Sequence, residues 1–131
     1  QDCVDTYIYG NQWIPLNQHC DVMERVKTSS ILDSKCGGGV MLHINLAEPF
    51  KDEEQAWQLM NKLAREGIIY FSFVVRINVC KQDHSFFGEK CPTCGGEVTD
   101  SYIKIVGYLV KSSSYKSERA KEMEERVFYE V

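Results

Sequence analysis

Three cysteines and a histidine crowd into residues 80–94 as Cys80-x3-His84-x6-Cys91-x2-Cys94. No other feature constrains the fold so sharply, because donors this closely spaced must converge on one point if they act together. Zn2+ takes four such thiolate and imidazole ligands tetrahedrally. Within Cys91-Pro92-Thr93-Cys94-Gly95-Gly96, proline and glycine shape a tight turn that aims both sulfurs the same way. Four protein donors leave no position for substrate or water, so a structural ion is expected. The Cys80-x3-His84 half has the less usual spacing, and Asp83 or the distant Cys36 are alternative fourth ligands. A redox C-x-x-C is the competing reading. Such a motif usually opens a helix after a strand, whereas Gly95-Gly96 discourages helix.

The rest of the composition supports the metal reading over a disulfide scaffold. Six cysteines in 131 residues could staple a secreted domain, but 44% of the chain is hydrophobic, enough for an ordinary packed core. A reduced, cytoplasmic setting is expected. The net charge of −4 repels a phosphate backbone, so neither DNA nor RNA polymer is an expected partner. No apolar run reaches the roughly 18 residues of a membrane helix. The chain begins at Gln1 rather than Met, which reads as a processed piece or a segment of something longer.

Hydrophobic periodicity predicts α/β structure. Residues 1–20 carry Tyr7, Tyr9, Trp13 and Ile14-Pro15-Leu16 and read as an extended or looped segment packed on the rest. Cys3, His19 and Cys20 fall here without a role. Residues 21–32 form a short helix capped by Asp21, followed by a loop at Gly37-Gly38-Gly39. Residues 40–46 alternate as a strand, with Val40, Leu42, Ile44 and Leu46 on one face and Met41, His43 and Asn45 on the other. His43 reads as a satisfied polar-face residue. A helix over 53–66, capped by Asp52 and stopped by Gly67, packs Ala56, Trp57, Met60, Leu63 and Ala64 on the sheet. Residues 69–79 read as the longest strand. Strand–helix–strand in this order suits a parallel crossover. Residues 101–110 are strand or strand-to-loop broken by Gly107, Ser112-Ser113-Ser114 is a turn, and 117–126 is a charged helix. An aromatic plug at Val127-Phe128-Tyr129 closes the chain.

Several strings in order then resemble one family. They are Asn11-Gln12-Trp13-Ile14-Pro15-Leu16, Leu32-Asp33-Ser34 with Gly38-Gly39, and Leu42-His43-Ile44-Asn45-Leu46 with Glu48-Pro49. Tyr70-Phe71, the Cys91–Cys94 knuckle, Ile105-Val106-Gly107-Tyr108-Leu109, and Glu125-Arg126 with Phe128-Tyr129 complete the set. Together they resemble the C-terminal portion of anaerobic (class III) ribonucleoside-triphosphate reductase, a glycyl radical enzyme. The resemblance implies that residues 1–79 are the C-terminal part of a ten-stranded α/β barrel, 80–100 a zinc-ribbon-like insert, and 101–131 a glycyl radical loop and tail. It implies that Gly107 loses an α-hydrogen to a radical-SAM activase and stores the radical on its Cα. Glycine suits this chemistry, because the amides on both sides stabilise the radical and no side chain blocks close approach. On its local sequence alone, Gly107 reads as a bend or bulge.

In the family the radical passes to a cysteine inside the barrel. That thiyl takes the 3′-hydrogen of the ribonucleotide, and the 2′-hydroxyl leaves as water. The implied partners are the remaining catalytic portion of the reductase, the activase, a second copy in a homodimer of the full enzyme, and a ribonucleoside triphosphate. The family's zinc site often has two C-x-x-C pairs; here Cys80 and His84 stand in for the first, giving Cys80, His84, Cys91 and Cys94 as the expected ligands. Two alternatives stay open: a spare-part radical domain, and a zinc-ribbon interaction module without a radical. Radical formation separates the second from the others.

Overall fold

The computed structural model describes residues 10–104, 108–115 and 117–131. Its first unit is a strand–helix–strand crossover. Helix α1 (Val22–Asp33) precedes strand β1 (Leu42–Leu46), helix α2 (Glu53–Arg65) and strand β2 (Phe71–Val75). Both helices start where short polar side chains satisfy their first free amides. Asp21 accepts from the Met23 amide and forms a capping box with Glu24, and Asp52 accepts from the Gln55 amide at 2.8 Å. Gly67 ends α2 in the left-handed region at φ +87°, where a Cβ would also press on Ser30 Oγ at 3.4 Å.

Strands β1 and β2 pair in parallel, Leu42 opposite Phe71 through Leu46 opposite Val75, as the crossover reading expects. One face packs Leu42, Ile44 and Leu46 with Val26 of α1, Leu63 of α2 and Ile68. The other face carries Val74 into a second core with Ile103, Met123, Tyr115 and Phe128. Because both faces are covered, every residue of β1 is buried. The face that carries His43 and Asn45 is therefore closed, and its polar side chains find partners inside the fold. His43 pairs with Ser72 Oγ at 2.7 Å, and Asn45 donates to the Val127 carbonyl at 3.4 Å.

Two expectations need correcting. Residues 69–79 are not one strand: β2 ends at Val75, and β3 (Ile77–Cys80) belongs to a different sheet. Arg76 sits at the break, donating to the Met123 carbonyl at 3.2 Å and lying 4.8 Å from the centre of the Phe128 ring. Trp57 does not pack on the sheet; it is 61% exposed, and Ala64 is exposed too. The inward face of α2 centres on fully buried Leu63, with Ala56, Leu59 and Met60 partly covered. Truncating Leu63 to alanine should therefore cost about 2–5 kcal/mol, read as a lower urea midpoint, whereas Trp57→Ala should cost far less.

The second sheet is antiparallel, in the order β4-β3-β5-β6, with β4 at Ser85–Phe86, β5 at Val98–Lys104 and β6 at Leu109–Lys111. A short 3-10 turn (Ser112–Ser114) and helix α3 (Ser117–Glu124) follow. Asp100 locks β5 to that turn. It accepts from the Ser101 amide at 2.8 Å, Ser112 Oγ at 2.9 Å, and the amide and hydroxyl of Ser113. Desolvation pushes its carboxyl up, but these hydrogen bonds outweigh it and bring the pKa down to about 2. The unfolded value is about 3.9. This contribution is thus complete above about pH 4 and lost as pH falls through about 2. Urea unfolding across that range should show a steeper acid loss in the parent than in Asp100→Asn; equal slopes would refute the assignment.

The segment before α1 packs through a buried arginine that periodicity did not flag. Arg25 is 1% exposed and donates to the carbonyls of Ile14, Pro15 and Gln18 and to Tyr129 Oη. Each of its three guanidinium nitrogens has at least one acceptor, the condition for burying an ion without large cost. Gln12 adds side-chain bonds to the Met41 carbonyl and the His43 amide, and Tyr129 bonds the backbone of Asn45 and Ala47. The first segment and the closing aromatic residues thus cover the outer edge of β1.

Candidate metal centre and radical strand

The metal centre is built at the ends of β3 and β4. Cys80 closes β3, where an extra residue on β5, Thr99, bulges between the pairs Val79–Asp100 and Cys80–Val98. The chain then turns sharply. The Asp83 amide bonds the Cys80 carbonyl at 2.9 Å, and the Cys80 amide bonds the His84 carbonyl at 3.2 Å. Asp83 takes φ +60°, a left-handed conformation that Asp tolerates better than most residues. This turn folds His84 back beside Cys80, so the unusual x3 spacing is a tight-turn spacing.

The opposite knuckle closes the same way. The Gly95 amide bonds the Cys91 carbonyl at 2.8 Å, and the Cys91 amide bonds the Gly96 carbonyl at 2.9 Å. A Cβ at Gly96 would meet Cys94 Sγ at 3.3 Å and Cys80 Cβ at 3.7 Å, so bulk there would push into the donors. No helix follows the knuckle, which removes the structural setting of a redox C-x-x-C.

The donor atoms of Cys80, His84, Cys91 and Cys94 all lie within 4.8 Å of one another. Cys94 Sγ is 3.6 Å from Cys80 Sγ, and Cys91 Sγ is 3.6 Å from His84 Nδ1. A disulfide would need about 2.05 Å. Tetrahedral zinc, with about 2.3 Å to sulfur and about 2.0 Å to nitrogen, places S···S at about 3.8 Å and S···N at about 3.6 Å. The two 3.6 Å edges, Cys80–Cys94 and His84–Cys91, match that tetrahedron. Asp83 and Cys36 are not in the group, and Cys36 Sγ instead approaches the Leu32 carbonyl.

The Cys91 thiol is also electrically primed for a cation. Burial pushes the Cys91 thiol up, but the amides of Cys94 and Thr93, with the side chains of Cys94 and His84, outweigh it and bring the pKa down to about 6. The Gly96 amide favours the Cys94 thiolate, yet Cys91, burial and Cys80 together raise its pKa. Crowded thiolates repel one another, and a dication relieves that repulsion.

Gly107 lies outside the described residues, as do Cys3, Tyr7, Tyr9, Ile105 and Val106. The strands on either side are described. β5 and β6 pair as an antiparallel ladder, Tyr102 opposite Lys111, Ile103 opposite Val110 and Lys104 opposite Leu109. Periodicity did not single out Arg126, which is buried beside this ladder. Arg126 donates to both oxygens of Glu122, at 2.8 and 3.2 Å, and to the Lys104 carbonyl at 3.4 Å. His43 faces the same charges: burial first, then Lys104 and Arg126, lower its pKa and favour the neutral ring. Among the described residues no helix is long and apolar enough to cross a membrane.

The family model for anaerobic ribonucleoside-triphosphate reductase matches residues 1–129. A solved structure described as an anaerobic ribonucleotide reductase is 45% identical over 95% of this chain and 20% of its own, with a TM-score of 0.81. The anaerobic ribonucleotide reductase from Thermotoga maritima with glycerol in the active site is 45% identical, covering 88% of this chain and 19% of its own, with a TM-score of 0.71. The same enzyme in complex with dATP and CTP is 42% identical over 91% and 19%, with a TM-score of 0.67. This chain thus spans about a fifth of the length of the solved structures it matches. No curated protein matches.

Proposed function

The chain belongs to the anaerobic ribonucleoside-triphosphate reductase family, and from that premise we propose that it is the glycyl-radical-bearing C-terminal portion of such a reductase, with Gly107 as the radical site. One observation carries the reading: the family match runs through residues 1–129 and so includes the Ile105-Val106-Gly107-Tyr108-Leu109 stretch. The paired strands β5 and β6 lead into and out of it, which supports a rigid mount for the radical. A radical-SAM activase would take one hydrogen atom from the Gly107 Cα. The remaining catalytic portion would supply the thiyl cysteine and the pocket for a ribonucleoside triphosphate. Reduction of that substrate to the deoxyribonucleotide would serve DNA synthesis.

In this reading the β1–α2–β2 crossover is one part of a ten-stranded barrel completed by that portion, and the full enzyme is a cytoplasmic homodimer. Cys80, His84, Cys91 and Cys94 hold structural Zn2+, whose donor geometry fits without an open position. The test is anaerobic incubation of the complete reductase with its activase, S-adenosylmethionine and a one-electron donor for the activase, followed by a ribonucleoside triphosphate and a two-electron reductant such as a dithiol or formate. Radical formation with deoxyribonucleotide production is expected. Turnover by an enzyme whose radical resides elsewhere in the chain would overturn the reading.

A further inference from the structure

Helix α3 ends in a charge cluster that points back at the radical strand. Glu122 accepts from Arg126 through both carboxylate oxygens, and Arg119 adds a third contact at 3.3 Å. Arg126 is only 7% exposed, so its guanidinium is held in one geometry by a forked ion pair rather than left to solvent. Its remaining arm, Nη1, reaches the carbonyl of Lys104. Lys104 is the last residue of β5 and lies beyond the end of β3, whose final pair is Ile77 with Tyr102. β5 thus loses one neighbouring strand after Tyr102, and Lys104 is its last residue before the stretch that holds Gly107.

We propose that the Glu122–Arg126 pair is a positioning device for the glycyl radical, tethering the strand end from which the Gly107 segment departs. The proposal rests on the reading of Gly107 as the radical site. Arg126 touches no reacting atom and acts through the Lys104 carbonyl. A guanidinium suits this, because one planar fork grips the carboxylate while a separate N–H holds the strand. Lysine supplies a single ammonium and cannot do both with the same geometry. The device also explains why the Arg126 guanidinium is buried at all, where an apolar side chain would carry no such desolvation cost.

The test uses the complete reductase carrying Arg126→Ala, Arg126→Lys or Glu122→Gln, activated anaerobically with the activase and S-adenosylmethionine. Three quantities are read: radical per chain, the α-hydrogen splitting of its EPR signal, and zinc content. Losing a buried hydrogen bond to a charged group should lower the radical yield of Arg126→Ala about tenfold. The splitting should change, because it depends on how planar the backbone is held, and zinc should stay at the parent level. Arg126→Lys should recover part of the yield. Glu122→Gln, which keeps the volume and drops the charge, should fall between. Parental yield and splitting in Glu122→Gln and Arg126→Lys would overturn the proposal and leave the pair a purely structural one, even if Arg126→Ala failed to fold. A parent enzyme without a radical at Gly107 would instead overturn the functional reading beneath it.

Discussion

Cys91→Ser should release the metal and unfold the insert while leaving the β1–α2–β2 unit folded. Cys91 is 2% exposed, and its thiol pKa is brought down to about 6. A serine hydroxyl stays protonated near neutral pH and offers a hard, short donor in place of a thiolate. Structural zinc sites contribute on the order of 10–16 kcal/mol of apparent binding free energy, so losing one ligand of four removes much of what holds the loop. Little else holds it: among the described residues the buried cluster around the site is Cys80, Phe86 and Cys91, and β4 is two residues long. The first core, around Leu63 and Ile44, lies elsewhere and shares none of these residues. Elemental analysis should show zinc in the parent and little in the variant. Hydrogen exchange should accelerate across residues 80–97 and stay slow in β1 and α2. Full zinc content with unchanged exchange in Cys91→Ser would show that another donor set holds the ion.

The parts of this molecule legible in its sequence are those fixed by local chemistry. Asp21 and Asp52 announce helix starts because a short carboxylate reaches free amides within its own turn. The four metal donors announce themselves because their spacing is short enough for tight turns to gather them. The misreadings share a different cause. Alternation runs unbroken through residues 69–79, since side-chain period does not depend on which strand is the partner. Only the contacts of Arg76 with Met123 and Phe128, distant in sequence, mark the change of sheet. Trp57 looked inward because any large apolar residue on a helical stripe does, yet the buried arc of α2 is narrower and centred on Leu63. The burial of Arg25 and Arg126 leaves no mark in periodicity, because an arginine is buried only when distant carbonyls and carboxylates converge on it. Those partners are set by the tertiary fold.

Gly107→Ala should abolish the radical outright and leave the zinc site intact. A Cα radical at glycine is planar and shared with the amides on both sides; a methyl group crowds that plane and blocks close approach of the partner thiol. The metal donors all precede β5 in the chain, so zinc content should not change. The same assignment predicts that oxygen damage is local. Activated protein exposed to air should be cut at Gly107 and lose the segment running to Val131, with the break located by mass spectrometry. Gly107→Ala should resist that cut. The most direct measurement is low-temperature EPR of parent and Gly107→Ala enzymes after identical anaerobic activation. A doublet from a single α-hydrogen in the parent, absent in the variant, is the predicted result; the same doublet in Gly107→Ala would contradict the assignment.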